Sequence, residues 1–523
     1  MPNSIVRHIK ALIFNKRLRA AFALLLICLK AFPQQEGFFH LYDNMGGNYC
    51  ASSVIETDDG NFLLAAFDQY AGSSCILIKL SSNGELLQKV PIHGGNIGAF
   101  INGIYCNPDD STRFCAIGSL HFREEQVCKP FVLHFDESLN LIEEHEVDLP
   151  DDYKVFQMER SVQTRDGDFL FATSLDEQNG YHRLYMKIAT DGTLMSFHEA
   201  TNDCSSSIMI NAIFEFPEGG YYGDYRRSHK NNLDHVERLF SFNDDFTFDT
   251  INEYPGIQQQ NGNSTYEIKP FTIGNGTALP FGDSSLLFSD RAYEASYYGN
   301  QIDSDLSTLF SLADMNGNII KYLVISSMND TADYPVAFNA IDYVKSNNGE
   351  IKDRIYHGCF GTCNGWFPCD GPNHITLTQT DDGLNIRWQK TFSHPTKYLL
   401  AAHLLATHDG GCLVTGAAYQ EDHYDLFALK TNTNGTLSTN EILAEDVRPY
   451  AYYPNPTQNG LHLQYSPDVT PTNIELYDLQ GRFLRSQSTS LENLNMEGLT
   501  TGQYVMKVTM EDGKAFLDKV VKE

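Results

Sequence analysis

Basic residues are scarce in this chain. Its 523 residues include 37 lysines and arginines against 67 aspartates and glutamates, which gives a formal net charge of −30. A surface of this charge repels nucleic acids and anionic membranes, so we expect neither as a partner. Tryptophan is also rare, with two residues, whereas the chain has 28 tyrosines and 33 phenylalanines. This aromatic content is typical of β-strands.

The sequence lacks an apolar run that is long enough to cross a bilayer as a helix. The run Ala20 to Leu29 has ten residues, and a membrane-spanning helix needs about twenty. Because basic residues from Arg7 to Arg19 precede this run, residues 1–32 are predicted to be a cleaved signal peptide. The mature protein is then expected to pass through the periplasm and to carry no transmembrane segment.

Motifs of common catalytic sites are also missing. Neither G-x-S-x-G nor H-E-x-x-H occurs in the sequence, and these are the local signatures of esterase and metalloprotease sites. The acidic turn residues stand singly and lack the D-x-D-x-D-G spacing of a calcium loop. The sequence therefore predicts no catalytic residue, no cofactor and no metal site.

Cysteines are present, but their pattern does not indicate a metal. Cys359 and Cys363 lie near His357 and His374, yet the C-x3-C-x5-C spacing is not that of a zinc site. Exported thiols meet an oxidising compartment, which favours disulfides. Cys106 and Cys115 flank a short turn and are predicted to face each other across a hairpin, while the other pairings stay open. The candidate disulfide residues are Cys106, Cys115, Cys359, Cys363 and Cys369.

Repetition dominates the middle of the chain. Strand, Asp-Gly turn and strand follow each other from Val54, from Val162 and from Leu405, and a second pair of strands follows each time. Weaker copies fill the gaps, so that the second turn recurs near positions 83, 137, 191, 244, 316, 382 and 434. Four short strands per repeat are the signature of a propeller blade. We predict an all-β fold with a β-propeller of seven four-stranded blades over residues 41–442, with a β-solenoid as the alternative.

The repeat also resembles a known family. Its units are similar to a bacterial propeller family that reads T-x-D-G-G-y-x-x-x-G, then D-x-x-l-x-K-x-d-x-x-G-x-x-x-W-x-K-t-f-G. Trp388-Gln389-Lys390-Thr391-Phe392 keeps the end of this pattern, whereas Leu87-Gln88-Lys89 has lost the tryptophan. The resemblance implies DGG-type propeller repeats.

Three blocks near the C-terminal end are distinctive in residue identity. They are Tyr453-Pro454-Asn455-Pro456, Ile474-Glu475-Leu476-Tyr477-Asp478-Leu479-Gln480-Gly481-Arg482 and Leu499-Thr500-Thr501-Gly502-Gln503-Tyr504-Val505-Met506-Lys507-Val508. These blocks resemble the type A C-terminal sorting domain of Bacteroidota proteins that the type IX secretion system exports. That family combines Y-P-N-P, V/I-x-I/L-Y-D-x-x-G-R/K and L-x-x-G-x-Y-x-x-K-V. The motif residues in this chain are Tyr453, Pro454, Asn455, Pro456, Tyr477, Asp478, Gly481, Gly502, Tyr504 and Lys507.

The resemblance implies recognition by the type IX secretion machinery, passage across the outer membrane, and removal of the domain with release or surface attachment of the cargo. Independently of the resemblance, Leu461, Leu463 and Tyr465 alternate with polar residues. This is the period of strands with one buried face. A small β-sandwich is therefore predicted for residues 452–523.

Function is predicted from these parts together. Because no catalytic constellation is visible, the sequence favours a secreted or surface-attached, non-enzymatic binding or scaffold protein whose propeller presents a face to a glycan or protein ligand. The alternative is an extracellular glycan-active hydrolase that uses carboxylates at the propeller channel. Tyrosine-rich segments from Tyr221 and from Arg291 are candidates for ligand contact. Packing between blades is the other interpretation of these tyrosines.

Overall fold

A computed structural model of the chain contains β-strands and no α-helix among the residues that it describes. The chain divides into two compact units, Met1–Leu443 and Ala444–Glu523. The predicted signal peptide lies outside the described residues, and within them no helix is long and apolar enough to span a membrane. The structure describes residues 37–43, 45–68, 74–93, 97–108, 110–122, 124, 127–150, 155–177, 180–200, 208–215, 220–228, 235–243, 248–253, 257–261, 264–270, 277–282, 284–298, 301–316, 318–325, 332–345, 351–362, 373–437, 450–453, 457–465, 471–478, 482–511 and 515–522.

The first unit consists of strands joined by turns and loops. In chain order they are β1 (Phe38–Tyr42), β2 (Tyr49–Glu56), β3 (Phe62–Asp68), β4 (Cys75–Leu80), β5 (Leu86–His93), β6 (Ile97–Asn107), β7 (Asp110–Phe122), β8 (Val127–Asp136), β9 (Leu141–Glu146), β10 (Val155–Gln163), β11 (Phe169–Glu177), β12 (Gly180–Ile188), β13 (Leu194–Ala200), β14 (Ile208–Glu215), β15 (Tyr221–Ser228), β16 (His235–Phe242), β17 (Phe248–Glu253), β18 (Ile257–Asn261), β19 (Ser264–Pro270), β20 (Thr277–Phe281), β21 (Ser285–Tyr298), β22 (Gln301–Asp314), β23 (Ile319–Ile325), β24 (Ala332–Pro335), β25 (Ile341–Lys345), β26 (Ile351–Thr362), β27 (His374–Thr380), β28 (Ile386–Ser393), β29 (Tyr398–Ala406), β30 (Cys412–Gln420) and β31 (His423–Thr431).

Consecutive strands pair as antiparallel meanders. Four-stranded sheets have the orders β2-β3-β4-β5, β14-β15-β16-β17 and β29-β30-β31-β1. Two further meanders, β6 to β9 and β10 to β13, are joined by the single pair of Val155 with Cys128. The hairpin β18-β19 is added along β21 of the meander β20 to β23, and the short strands β24 and β25 both pair with β26.

The first strands of the meanders form a closed circle. β2, β6, β10, β14, β20, β25 and β29 are neighbours in this order, and β29 returns to contact β2. β1, from the beginning of the unit, completes the last meander by pairing with β31. A solenoid would keep its first and last repeats apart, so the cyclic order confirms the prediction of an all-β, propeller-like fold.

A hydrogen-bonded turn recurs between the first and second strands of the clear repeats. Thr57, Thr164 and Thr407 each donate the hydroxyl hydrogen to the aspartate two residues later. The third of these aspartates, Asp409, also lies 2.6 Å from the ammonium of Lys430, which is fully buried. Each of these carboxylates therefore accepts hydrogen bonds within its own turn, and Asp409 also anchors its turn to β31.

Neighbouring meanders are held together by a side chain of one meander that packs over a turn of the next. Trp388 on β28 donates its Nε1 hydrogen to Thr433 O at 3.0 Å, and its ring lies against Gly435. His40 on β1 lies against Gly84 in the same manner. The tryptophan at the end of the repeat pattern thus packs between meanders, and His40 takes this place on β1.

The predicted disulfide between Cys106 and Cys115 is not formed. In the β6-β7 ladder Cys106 lies opposite Phe114 and Cys115 lies opposite Tyr105, so strand alternation points the two thiols to opposite faces. Both are free thiols, and Cys359 is buried on β26. The two remaining candidates, Cys363 and Cys369, lie outside the described residues. An oxidising compartment permits a disulfide only where two Cβ atoms face each other at bonding distance, and cysteine spacing alone does not show this.

The second unit has two sheets around one apolar core. Its strands are β32 (Tyr450–Tyr453), β33 (Gly460–Tyr465), β34 (Pro471–Asp478), β35 (Phe483–Gln487), β36 (Asn493–Asn495), β37 (Gly502–Met510) and β38 (Ala515–Lys522). The sheet orders are β32-β33-β36 and β35-β34-β37-β38. Leu463 from the first sheet and Leu476 and Met506 from the second belong to the same buried cluster.

The fold brings two blocks of the sorting motif side by side. β34 pairs with β37 so that Asp478 lies opposite Tyr504. Tyr453 ends β32 and Gly502 begins β37. Residues 454–456 and Gly481 of the motif lie outside the described residues.

Candidate functional site

The strands of the closed circle, called the inner strands from here on, share a backbone irregularity. Each of five inner strands has a β-bulge at which a residue is skipped in the ladder to the second strand. The skipped residues at these bulges are Ser52, Asn102, Glu159, Asn211 and Ala402, and β10 has a further register shift after Val155. A bulge bends its strand and re-aims the neighbouring side chain. The residues that follow the bulges are Ser53, Gly103, Arg160, Ala212 and His403.

Two glycines on second strands make room for these bulges. Gly118 lies opposite Ile101 and Gly416 lies opposite Ala401, each one position before a bulge. A Cβ atom at Gly118 would collide with the carbonyl oxygen of Phe100, and one at Gly416 would collide with that of Leu400. Glycine is needed at both positions because the bulged backbone approaches so closely.

The bulged strands surround a cavity of about 450 Å³. Its walls come from β2, β6, β10, β14, β20, the segment between β24 and β25, and β29. This volume lies in the range of small-molecule and saccharide pockets. A pocket at the axis of a propeller-like ring can collect side chains from every meander, so it is the candidate functional site.

Two of the ionisable side chains at the cavity lie on inner strands, directly after a bulge. They are Arg160 on β10 and His403 on β29. Burial, together with the positive charge of Arg160, lowers the pKa of His403 to about 4. The imidazole is therefore neutral near pH 7, and its buried Nδ1 has no hydrogen-bond partner among the described residues. The cavity thus holds a permanent cation and an uncharged base.

Other polar side chains that line the cavity are held by hydrogen bonds to the backbone of neighbouring strands. The Tyr105 hydroxyl donates to Ser161 O at 2.9 Å, and burial raises the pKa of Tyr105 to about 12. Asn339 donates its Nδ2 hydrogen to Leu404 O at 2.8 Å, next to His403. These bonds hold the walls in place and orient the backbone beside Arg160 and His403.

Arg165 and Glu215 also line the cavity, at the ends of β10 and β14. The Glu215 carboxylate accepts a hydrogen bond from the backbone nitrogen of Arg165 at 2.6 Å. The same contact recurs where Glu56 accepts from the backbone nitrogen of His408 at 2.6 Å. Glu215 is therefore engaged as a turn cap, which is a structural role repeated elsewhere in the ring.

Three aromatic rings meet near the axis. Phe338, which lines the cavity, lies with its ring centroid 6.4 Å from that of Phe67 and 6.1 Å from that of Phe100. Phe338 belongs to the sixth meander in chain order, whereas Phe67 and Phe100 belong to the first two. The rings therefore pack across the axis, and Phe338 gives the cavity an apolar wall.

Metal binding finds no support in the part of the chain that the structure describes. No three His, Cys, Asp or Glu side chains there are grouped closely enough to hold an ion.

Of the two tyrosine-rich segments predicted to contact a ligand, one begins at a tyrosine that is buried between meanders. The Tyr221 hydroxyl accepts a hydrogen bond from Lys187 Nζ at 3.1 Å. The side chains from Arg291 to Tyr298 are not described. Tyr221 therefore follows the packing interpretation.

Sequence reasoning missed Arg160 and His403. Both stand four residues before the threonine of a Thr-x-Asp-Gly turn, as does Ser53. Alignment of the three clear repeats on this threonine would have placed a serine, an arginine and a histidine at one equivalent position. The histidine, which stands inside the otherwise apolar strand β29, was the available signal.

Comparison with known proteins adds two findings. Residues 451–523 match the family described as the secretion system C-terminal sorting domain, which indicates secretion and a cell-surface or extracellular location. Over 117 residues the chain is 22% identical to the ulvan lyase NLR42 of Nonlabens ulvanivorans, a stretch that covers 22% of this chain and 20% of that relative. The chain thus matches about a fifth of the length of this curated relative.

Solved structures with a similar course of the backbone include two polysaccharide lyases. The ulvan lyase of family PL25 bound to -[GlcA(1-4)Rha3S]- is 8% identical with a TM-score of 0.43, and the match covers 76% of this chain and 97% of that chain. Polysaccharide lyase Uly1 is 8% identical with a TM-score of 0.41, and the match covers 73% of this chain and 90% of that chain.

The prediction of a non-enzymatic binding or scaffold protein is contradicted by the similarity to the curated relative. The curated relative is an enzyme that is named for action on a polysaccharide. The candidate side chains at the cavity come from strands far apart in the chain, and an arrangement of this kind leaves no local sequence motif.

Proposed function

We propose that this protein is an extracellular enzyme that cleaves an anionic polysaccharide, with its active site in the cavity enclosed by the inner strands. The single observation that carries this proposal is that Arg160 and an uncharged His403 line the same cavity. The similarity to an ulvan lyase supports the enzyme class.

The charge of the cavity supports an anionic substrate. The chain as a whole carries a formal charge of −30, so an acidic polymer is repelled by most of its surface. Arg160 and Arg165 place positive charge at the cavity. A guanidinium can bind a carboxylate or a sulfate through two parallel hydrogen bonds, which would select the acidic residue of the polymer and hold it beside His403.

Elimination is the reaction that these groups can carry. In a uronate, Arg160 would neutralise the carboxylate and thereby make the adjacent carbon–hydrogen bond more acidic. His403 Nδ1 would accept that proton, a carbon–carbon double bond would form, and the glycosidic carbon–oxygen bond would break. The leaving oxygen takes a proton from His403 or from water, so atoms and charges balance without a cofactor.

Hydrolysis by a pair of carboxylates is less well supported. That mechanism needs two acidic groups on either side of the scissile bond. Among the lining residues whose side chains the structure describes, Glu215 is the one carboxylate, and it is engaged by the Arg165 backbone. The uncharged histidine beside an arginine therefore favours elimination over hydrolysis.

We also infer the finer architecture that accompanies this function. The inner strands support a propeller of seven blades with DGG-type repeats over residues 41–442, and the two sheets of residues 452–523 support a small β-sandwich. A signal peptide at residues 1–32 would deliver the chain to the periplasm, and the sorting domain would be removed on export with release or surface attachment of the enzyme.

The proposal is tested with the purified full chain. Ulvan and other uronate-containing polysaccharides are incubated with the protein, with neutral glucans and fluorogenic glycosides in parallel. Elimination gives an unsaturated product that absorbs in the ultraviolet, whereas hydrolysis gives reducing ends without that absorbance. We expect unsaturated product from an acidic polymer alone.

Matched variants locate the site. Arg160→Ala and His403→Gln should each abolish most of the activity, whereas the exposed residues Arg387 and His408 serve as controls through Arg387→Ala and His408→Gln. Loss of about 100-fold or more is the usual effect of removing a positioned proton-transfer group. Activity that survives both cavity substitutions, or that falls equally in the controls, would contradict the assignment of the cavity.

A further inference from the structure

The motif residues of the sorting domain divide into two sets in the structure. Tyr504 is 6% exposed and donates its hydroxyl hydrogen to Thr500 O at 2.6 Å. Asp478 accepts from the backbone nitrogen and the Nε of Arg482, at 2.9 and 2.6 Å, and so closes the turn after β34. Folding of the domain accounts for both of these residues.

Tyr477 and Lys507 belong to the other set. Alternation along β34 buries Ile474 and Leu476 and turns Glu475 and Tyr477 outward, and the same alternation along β37 turns Lys507 outward. Glu475 lies directly opposite Lys507, with 2.9 Å between the carboxylate and Nζ. An ion pair on a solvated face contributes about 0–1 kcal/mol, so stability gives little reason for a motif lysine here.

An exposed aromatic side chain extends the same face. Phe483 on β35 lies opposite Tyr477, their ring centroids are 5.8 Å apart, and Phe483 is 56% exposed. Among the described strands β35 pairs only with β34, so it is an edge of its sheet. Large aromatic side chains in solvent, beside a charged residue, are typical of protein interaction surfaces. We name this surface the outer sheet face; it consists of Glu475, Tyr477, Phe483 and Lys507.

We propose that the outer sheet face is the surface that the secretion machinery binds during export. A machinery that exports a chain through its sorting domain must contact residues of that domain, and Tyr477 and Lys507 are motif residues that the core does not require. The partner surface would offer an apolar recess for Tyr477 and Phe483 and an acidic group for Lys507.

A charge swap separates recognition from stability. The full chain is expressed in a Bacteroidota host with a type IX system as Lys507→Glu, as Glu475→Lys, and as the double variant that restores the ion pair with reversed polarity. The exported and periplasmic fractions are measured by immunoblot, and thermal unfolding of each variant shows whether the second unit is folded. Glu492→Lys, an exposed charge reversal outside the outer sheet face, is the control.

We expect Lys507→Glu and the double variant to be retained in the periplasm, with a several-fold fall in the exported fraction, while the double variant unfolds at the parent temperature. Tyr477→Ser and Phe483→Ser should also reduce export, and Glu492→Lys should not. If the double variant restores export, the pair acts only in stability and the proposal fails. Normal export of all variants would also overturn it. Because export is measured directly, neither result depends on enzyme activity.

Discussion

The ammonium of Lys430 lies 2.6 Å from the carboxylate of Asp409, and Lys430 is fully buried. Burial alone would raise the pKa of Asp409, but the charge and the hydrogen bond of Lys430, together with hydrogen bonds from Thr407 and the Gly411 backbone, hold that pKa below its usual value. The pair joins the turn after β29 to β31, which is the strand that β1 needs in order to close the ring.

Breaking this pair should destabilise the first unit. Lys430→Met leaves Asp409 as an uncompensated charge, and removal of one partner of a buried pair costs about 3–5 kcal/mol. Lys79 occupies the equivalent position on β4, is half-buried, and donates to Glu137 O at 3.0 Å. Lys79→Met should cost about 1 kcal/mol. Unfolding in guanidinium measures both, and equal losses would contradict a special role for the buried pair.

The turn glycine beneath Trp388 should not tolerate a side chain. Gly435 has a φ of 71°, and a Cβ atom there would lie 2.8 Å from the Trp388 ring. Gly46 has a φ of 81° with no atom near its Cβ position, so Gly46→Ala reports the backbone cost alone, about 1–2 kcal/mol. Gly435→Ala should cost a further 1–3 kcal/mol or so through overpacking. Chemical denaturation of the two variants tests this, and equal costs would show that the ring moves freely aside.

Acid should destabilise the first unit through His357. This residue is fully buried, its Nε2 lies 2.9 Å from Thr380 Oγ1, and burial lowers its pKa to about 3. A depressed histidine pKa means that the unfolded chain binds the proton first. The contribution of the neutral His357 to the free energy of unfolding is complete above about pH 6.5. It is lost as the pH falls to the folded pKa near 3, by about 5 kcal/mol in total.

The check is the free energy of unfolding as a function of pH. His357→Gln should flatten the slope between about pH 6.5 and the folded pKa, because no proton is then taken up at this position on unfolding. An unchanged slope in His357→Gln would refute the assignment.

Activity should survive into moderately acidic solution. His403 must be neutral to accept a proton, and its pKa is lowered to about 4. For the proposed elimination, kcat/KM should therefore stay high as the pH falls from 7 and should decline near pH 4, where the free imidazole becomes protonated. Rates across this range on an acidic polysaccharide provide the measurement. A decline centred near pH 6.5 would mean that His403 is solvated and not shifted.

Export should depend on the second unit. A chain without residues 452–523 keeps the predicted signal peptide but loses all three motif blocks, so it should reach the periplasm and stop there. Fractionation and immunoblotting of the truncated chain, beside the full chain, give the result. Normal levels of the truncated protein in the medium would contradict the role of the sorting domain.

Much of the fold followed from local patterns. The alternation that begins at Val54, and the Asp-Gly turn after it, predict a strand, a turn and a strand because both depend on neighbouring residues alone. The sorting motif could be recognised for a similar reason, since Tyr477, Asp478 and Tyr504 stand in short, contiguous blocks. Repetition of these local units then indicated a propeller.

The features that the sequence did not reveal depend on strand register and on closure of the ring of strands. Cys106 and Cys115 are close in sequence, but the ladder of β6 with β7 turns their side chains to opposite faces. The bulges before Arg160 and His403 arise where one strand gains a residue relative to its neighbour, and no single strand contains that information. Only the closed ring, with β1 paired to β31, brings these two residues, about half the chain apart, to one cavity. The sequence by itself determined the strands, the turns and the export motif; the tertiary structure decided which side chains share a site, because that requires strand register and ring closure together.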